Sequence, residues 1–187
     1  MKWYFWLLTW TTYGMWLPGD SRGSVSRVRA GPGPRVRHNR YGTPVDSGMP
    51  GLRRAARAQM KQPPTVLEFE HATVIQEQLL ATAKHCGWQV VALAVMPNHV
   101  HVVLGVSERI PGNRILQKLK SYTSRALNCR YGKGNPRRWW TRRGSRRLLP
   151  DRRAVIAAVH YVQNQHHPLV VWTAEGWPEK LEVVSPH

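Results

Sequence analysis

Acidic side chains are scarce in this sequence. Ten Asp and Glu stand against 28 Lys and Arg, which leaves a formal net charge of +18 and a pI near 11.2. A compact domain with that much like charge repels itself unless a polyanion compensates, so nucleic acid is the expected partner. Lysine is also scarce beside arginine, a bias that favours bidentate phosphate contacts and stacking over simple point charge. An anionic membrane surface is the other available polyanion, but no basic amphipathic helix is present to lie on it. Cysteine is nearly missing. Cys86 and Cys129 form neither a metal-finger spacing nor a disulfide framework, which points to a reducing compartment. Long apolar runs are missing too. The opening MKWYFWLLTW is too short to span a bilayer and lacks a small-residue cleavage site. It reads as a buried strand, and no membrane association is expected. No internal repeat appears. The 187 residues fit one domain, 1–187, carrying a sizeable insertion.

What stands out instead is Met96-Pro97-Asn98-His99-Val100-His101-Val102-Val103-Leu104. In a strand, alternate residues share a face, so His99 and His101 present two imidazoles side by side while Val100, Val102 and Leu104 face the other layer. Two neutral imidazoles on a rigid strand make half a site for a divalent ion. One histidine satisfied in the core and the other at its edge is the competing explanation.

Along the chain, residues 3 to 10 read as a first strand. A Gly/Pro/Arg-rich insertion at about 19–64 follows, without apolar periodicity, and Leu52 to Lys61 could form a short basic helix within it. Residues 71 to 86 read as an amphipathic helix capped by Gly87. Strands 88 to 95 and 99 to 106 are joined so tightly that they must form an antiparallel hairpin. A helix at about 112 to 130 comes next, then an edge strand opening at Arg147-Leu148-Leu149. Asp151 then caps a helix running to about Gln165. This order implies a ferredoxin-like α+β fold, a mainly antiparallel sheet with helices packed on one face.

Two further groups bear on function. The helix at 112 to 130 carries Ile115, Leu119, Tyr122 and Ala126 as a stripe aimed at the sheet, flanked by Lys118, Lys120 and Arg125. Tyr122 is either a core tyrosine with a polar partner or a reactive phenol. The block RRWWTRRGSRR holds Arg137, Arg138, Trp139, Trp140, Arg142, Arg143, Arg146 and Arg147. Arginines interleaved with aromatics can grip phosphates while stacking bases, so this block is expected to contact nucleic acid.

MPNHVHVVL followed by LQKLKSYTSRALN resembles the single-tyrosine HUH transposases, and within them the REP-associated tyrosine transposases. LTWTTYGMWLPGDSRGS resembles the first strand and following loop of some members. The resemblance implies an enzyme that nicks and rejoins single-stranded DNA, with hairpin structure in its target. His99 and His101 would be the metal pair, for Mg²⁺ or Mn²⁺, and Tyr122 the nucleophile that leaves a 5′-phosphotyrosine and a free 3′ hydroxyl. Relatives place a third, polar ligand one helical turn after the tyrosine. Here that position is Ala126, so His71, Glu70 or water would have to complete the site. A catalytically weakened DNA-hairpin-binding protein on the same fold is the alternative, and charge alone also admits an RNA-binding protein. The resemblance further implies a cytoplasmic, nucleoid-associated protein, monomer or homodimer, with the self-contained monomer favoured.

Overall fold

The strand pattern predicted around the histidines is the centre of the observed sheet. The computed structural model of the chain describes residues 3–20, 49–132 and 138–177, and the backbone of 27–28 and 36–37. In chain order the elements are β1 (Tyr4–Thr11), β2 (Arg27–Val28), β3 (Val36–Arg37), α1 (Pro50–Ala58), α2 (Phe69–His85), β4 (Gln89–Val95), β5 (His99–Val106), α3 (Gly112–Tyr131), β6 (Ser145–Leu149), α4 (Arg152–Gln163) and β7 (Val170–Thr173). They fall into two compact units, Tyr13–Pro64 and the remainder of the chain.

The larger unit is a five-stranded sheet in the order β6-β1-β5-β4-β7, with every neighbouring pair antiparallel. Its first four strands, with α2 and α3 as crossovers, make the ferredoxin-like α+β plan, and β7 extends the sheet beside β4. Local chemistry sets the boundaries. The Glu68 backbone N–H donates to Nδ1 of His71 at the start of α2. Gly87 ends that helix with a φ of 65°, a left-handed conformation that costs glycine little. Asp151 accepts from the Ala154 N–H at 2.7 Å and starts α4. The β4–β5 turn closes with Met96 N–H donating to His99 O at 2.8 Å. Residues 65–68 form no strand. They run as an extended lead into α2, where Leu67 is buried and its N–H donates to Pro97 O.

The two faces of the sheet are covered by different helices. Val100, Val102, Leu104 and Val106 pack with Ile75 and Leu79 of α2 and with Ile115, Leu119 and Leu127 of α3. Val103, on the opposite parity of the same strand, packs with Val155, Ala158, Val159 and Val162 of α4. Each fully buried valine there contributes about 1.5 kcal/mol of burial free energy. The expectation of helices on one face therefore holds for α2 and α3 only. A second apolar parity, Phe5, Ala92, Ala94 and Val103, needs its own cover, and α4 supplies it.

The smaller unit, Tyr13–Pro64, contains the β2–β3 pair and α1. Pro50 sits in the first turn of α1, no residue of the helix is buried, and Arg53, Arg54 and Arg57 are exposed. Most of the expected arginine-rich insertion, residues 21–48, lies outside the described residues apart from the β2 and β3 backbone.

Candidate active site

Strand parity decides which groups meet. His99 and His101 lie on the α4 side of β5, their rings 4.6 Å apart at an interplanar angle of 87°. The Nδ1 of His99 hydrogen-bonds Asn98 Oδ1, an acceptor only, so Nδ1 carries the proton and Nε2 keeps its lone pair. Thr9 stands directly opposite His101 in β1, and its hydroxyl lies 2.8 Å from Nδ1 of that ring. In the tautomer in which Nδ1–H donates to the Thr9 hydroxyl, the lone pair lies on Nε2 of His101. That Nε2 is buried and makes no close hydrogen bond among the described residues. Burial, helped by the neighbouring His99, lowers the His101 pKa to about 4; a hydrogen bond with the Gln165 side chain acts in the raising direction. Each ring is thus held at Nδ1 by a neighbouring side chain, His99 by Asn98 and His101 by Thr9, the kind of outer partner that orients metal-binding histidines.

The tyrosine beside this pair is Tyr161 of α4. Its ring centroid lies 5.2 Å from that of His101, at 83°. The residue is 53% exposed, so a ligand can reach the phenol from solvent. Val162, its neighbour in α4, is fully buried, and the packing of that stripe on the sheet fixes where Tyr161 projects. One turn further on, Gln165 donates from Nε2 to the Tyr161 carbonyl at 2.7 Å. Gln165 is therefore tethered to the tyrosine while its side chain influences His101.

Tyr122 is not brought to the histidines. It lies on α3, across the sheet, and the buried stripe of that helix runs through Ile115, Leu116, Leu119, Thr123 and Leu127. The stripe passes one residue beyond Tyr122, a rotation of about 100° in a helix, which leaves Tyr122 half-buried under the Arg125 guanidinium at 5.6 Å. Ala126 shares that helix, so its lack of a donor atom has no bearing on the histidine pair. His71 does not complete the site either. It caps α2 and packs against Tyr131 and Trp139, and Glu70 is exposed on the same helix. Among the described residues, no three His, Cys, Asp or Glu side chains cluster to hold a metal ion. The donor set at hand is two imidazoles and the Gln165 amide, nitrogen and oxygen ligands that suit Mn²⁺ and are tolerated by Mg²⁺.

With this geometry in view, the family comparison is decisive. Residues 59–165 match the family described as "Transposase IS200 like". The chain belongs to that family. The matched span of this transposase includes His99, His101, Tyr161 and Gln165. Among solved structures, a candidate transposase from Deinococcus radiodurans R1 aligns at 20% identity and a TM-score of 0.44, over 87% of this chain and 91% of that one. A REP-associated tyrosine transposase bound to a REP hairpin aligns at 10% identity and a TM-score of 0.44, over 87% of this chain and 66% of that one. No curated protein matches by sequence.

The expected nucleic-acid residues divide into separate groups. Arg138, Trp139, Trp140, Arg142, Arg143 and Arg146 line a cavity with Lys120 of α3. The two tryptophans do not offer open faces for stacking, which corrects the expectation for them. Trp139 is 2% exposed and its indole N–H donates to Asn128 Oδ1 at 2.9 Å; Trp140 is 9% exposed and meets Trp10 edge-on. Large aromatic surface next to the sheet is buried with the core, and the arginines around it take the solvent. Lys120 donates to the carbonyls of Thr141 and Arg143, and burial lowers its pKa to about 8. Lys118 instead reaches Cys86 and the Trp88 ring, away from that cavity. Arg147 pairs across from Leu7 and shares the histidine parity, whereas Arg146, across from Leu8, takes the α3 side. Arg137 lies outside the described residues. No helix among the described residues is long and apolar enough to cross a membrane.

Proposed function

We propose that this transposase cuts and rejoins single-stranded DNA through Tyr161, with His99 and His101 as the metal pair and Gln165 as the third ligand. The observation that carries the reading is the meeting of Tyr161 with the buried ring of His101. The residues fit a divalent ion, Mg²⁺ or Mn²⁺, which His99, His101 and the Gln165 side-chain amide would hold. When bound, such an ion supplies Lewis-acid polarisation of the scissile phosphate and offsets its developing charge.

The chain's own groups do the rest. The Tyr161 oxygen attacks phosphorus, forming a new O–P bond to the 5′ end of the downstream fragment as the P–O3′ bond to the upstream fragment breaks. The phenol proton leaves to solvent and the departing 3′ oxygen takes up a proton, giving a 3′ hydroxyl and a 5′-phosphotyrosine. Attack by a 3′ hydroxyl reverses the exchange, so rejoining needs no high-energy cofactor. Tyr161 has the exposure to meet a DNA strand, and exposed Arg147 on the same parity offers a cation to a neighbouring phosphate. Histidine pair and tyrosine come from one chain, which favours a monomer competent by itself over a homodimer that exchanges its tyrosine helix. A hairpin beside the cleaved segment is the proposed target form.

The test incubates the full chain with end-labelled single-stranded DNA carrying a short hairpin, in Mg²⁺ or Mn²⁺. The parent and Tyr122→Phe should form a denaturant-stable protein–DNA adduct, and Tyr161→Phe none. Absence of an adduct from the parent in both ions, or its persistence in Tyr161→Phe, would contradict the reading.

A further inference from the structure

We propose that the cavity between α3 and residues 138–146 holds one unpaired nucleotide of the bound DNA strand, as a second site on the side of the sheet away from the histidine pair. The proposal rests on the strand-cutting reading only for the identity of the polymer as DNA.

The cavity has a volume of about 620 Å³, within the range of about 300–1,000 Å³ typical of small-ligand sites. Its lining is cationic without an acid. Arg138, Arg142, Arg143 and Arg146 join Lys120, and no Asp or Glu is among the lining residues. A lining of this kind suits an anion, and arginine forks match phosphate oxygens. Beside them, α3 presents the side-chain amides of Asn113 and Gln117 and the hydroxyls of Ser121 and Ser124. Amides and hydroxyls read base edges, which a site for phosphate alone does not need. Leu116 and Trp140 supply an apolar wall for a base.

The wall is built rather than accidental. Lys120 ties α3 to the Thr141 and Arg143 carbonyls, Thr141 N–H donates to Thr11 O at 3.0 Å, and Asn128 holds the Trp139 indole. The path between the two sites runs over β6. This strand is the edge of the sheet, and its consecutive arginines alternate, Arg146 into the cavity and Arg147 onto the histidine side. A row of phosphates can therefore pass around the edge from one face to the other with an arginine on each side.

The experiment measures binding of a short single-stranded DNA by fluorescence anisotropy, with chelator present so that no cleavage occurs. An abasic nucleotide is moved through the oligonucleotide one position at a time. In the parent, one position should weaken binding about ten-fold, the scale of a single held base. Ser121→Trp fills the cavity from an exposed helical position and should abolish that position-specific penalty. Gln117→Trp is the second filling variant should Ser121→Trp fail to fold, and Ala81→Trp on α2 should retain the parent profile. No penalised position in the parent, or the same penalty in a folded filling variant, would overturn the proposal. So would a larger penalty on an RNA oligonucleotide of the same sequence. Because cleavage is blocked, the result is interpretable whether or not Tyr161 forms an adduct.

Discussion

Tyr161 and His101 stand ring to ring at 5.2 Å although they are brought together from different elements, α4 and β5. This contact joins the most exposed group of the site to its most buried one, and the consequences for pH, metal binding and chemistry follow from it.

The first concerns acid stability. His101 is held neutral in the folded chain, with its pKa lowered from 6.5 to about 4, chiefly by burial. Above pH 6.5 neither state carries the proton and the group contributes nothing. As the pH falls from 6.5 towards 4, the unfolded chain binds a proton that the folded chain refuses, so stability declines through that window. The expected loss is at most about 3 kcal/mol. Urea unfolding of the metal-free protein at a series of pH values checks this, with His101→Gln expected to flatten the slope. An unchanged slope in that variant would remove His101 as the cause.

Metal affinity should depend on Thr9, which touches no ion itself. Thr9→Val keeps the shape but removes the hydroxyl that anchors His101 Nδ1. Losing an outer-shell partner of this kind typically weakens metal binding about 10–100-fold. Mn²⁺ titration followed by electron paramagnetic resonance reads the change directly, and an affinity equal to that of the parent would show that the hydroxyl does not orient the ring.

Gln165 and Ala126 make a matched pair of substitutions. Gln165→Ala should weaken Mn²⁺ binding about ten-fold, whereas Ala126→Gln should leave it unchanged, since α3 lies on the other face of the sheet. Tighter binding in Ala126→Gln would place the metal on the α3 side and defeat the site described here.

These substitutions also mark what was legible in the sequence. Alternation in His99–Val106 was enough to give β5 its limits, and Asp151 with the Val155, Val159 and Val162 spacing gave α4. The histidine pair was visible for the same reason. The partner tyrosine was not, because Tyr161 lies far from His101 in the chain and meets it only through the packing of α4 on the sheet. The signal was nonetheless available. Val100, Val102 and Leu104 form a wholly apolar parity, and the two apolar crossover helices bury it, which leaves the histidine parity for α4. The expected polar residue one turn after the tyrosine was missing at Ala126 and present at Gln165, four residues after Tyr161. The burial of Trp139 and Trp140 was the hardest to read. It depends on Asn128 and Trp10, which reach them from other segments, and no local pattern announces those contacts.

The central claim is that Tyr161 is the residue joined to DNA. Proteolysis of the covalent adduct formed by the parent protein on hairpin-bearing single-stranded DNA, followed by mass spectrometry of the nucleotide-bearing peptide, tests it most directly. The account predicts the phosphodiester on the peptide containing Tyr161, within the helix that runs from Arg152 to Gln163. A nucleotide on the peptide containing Tyr122 instead would contradict it.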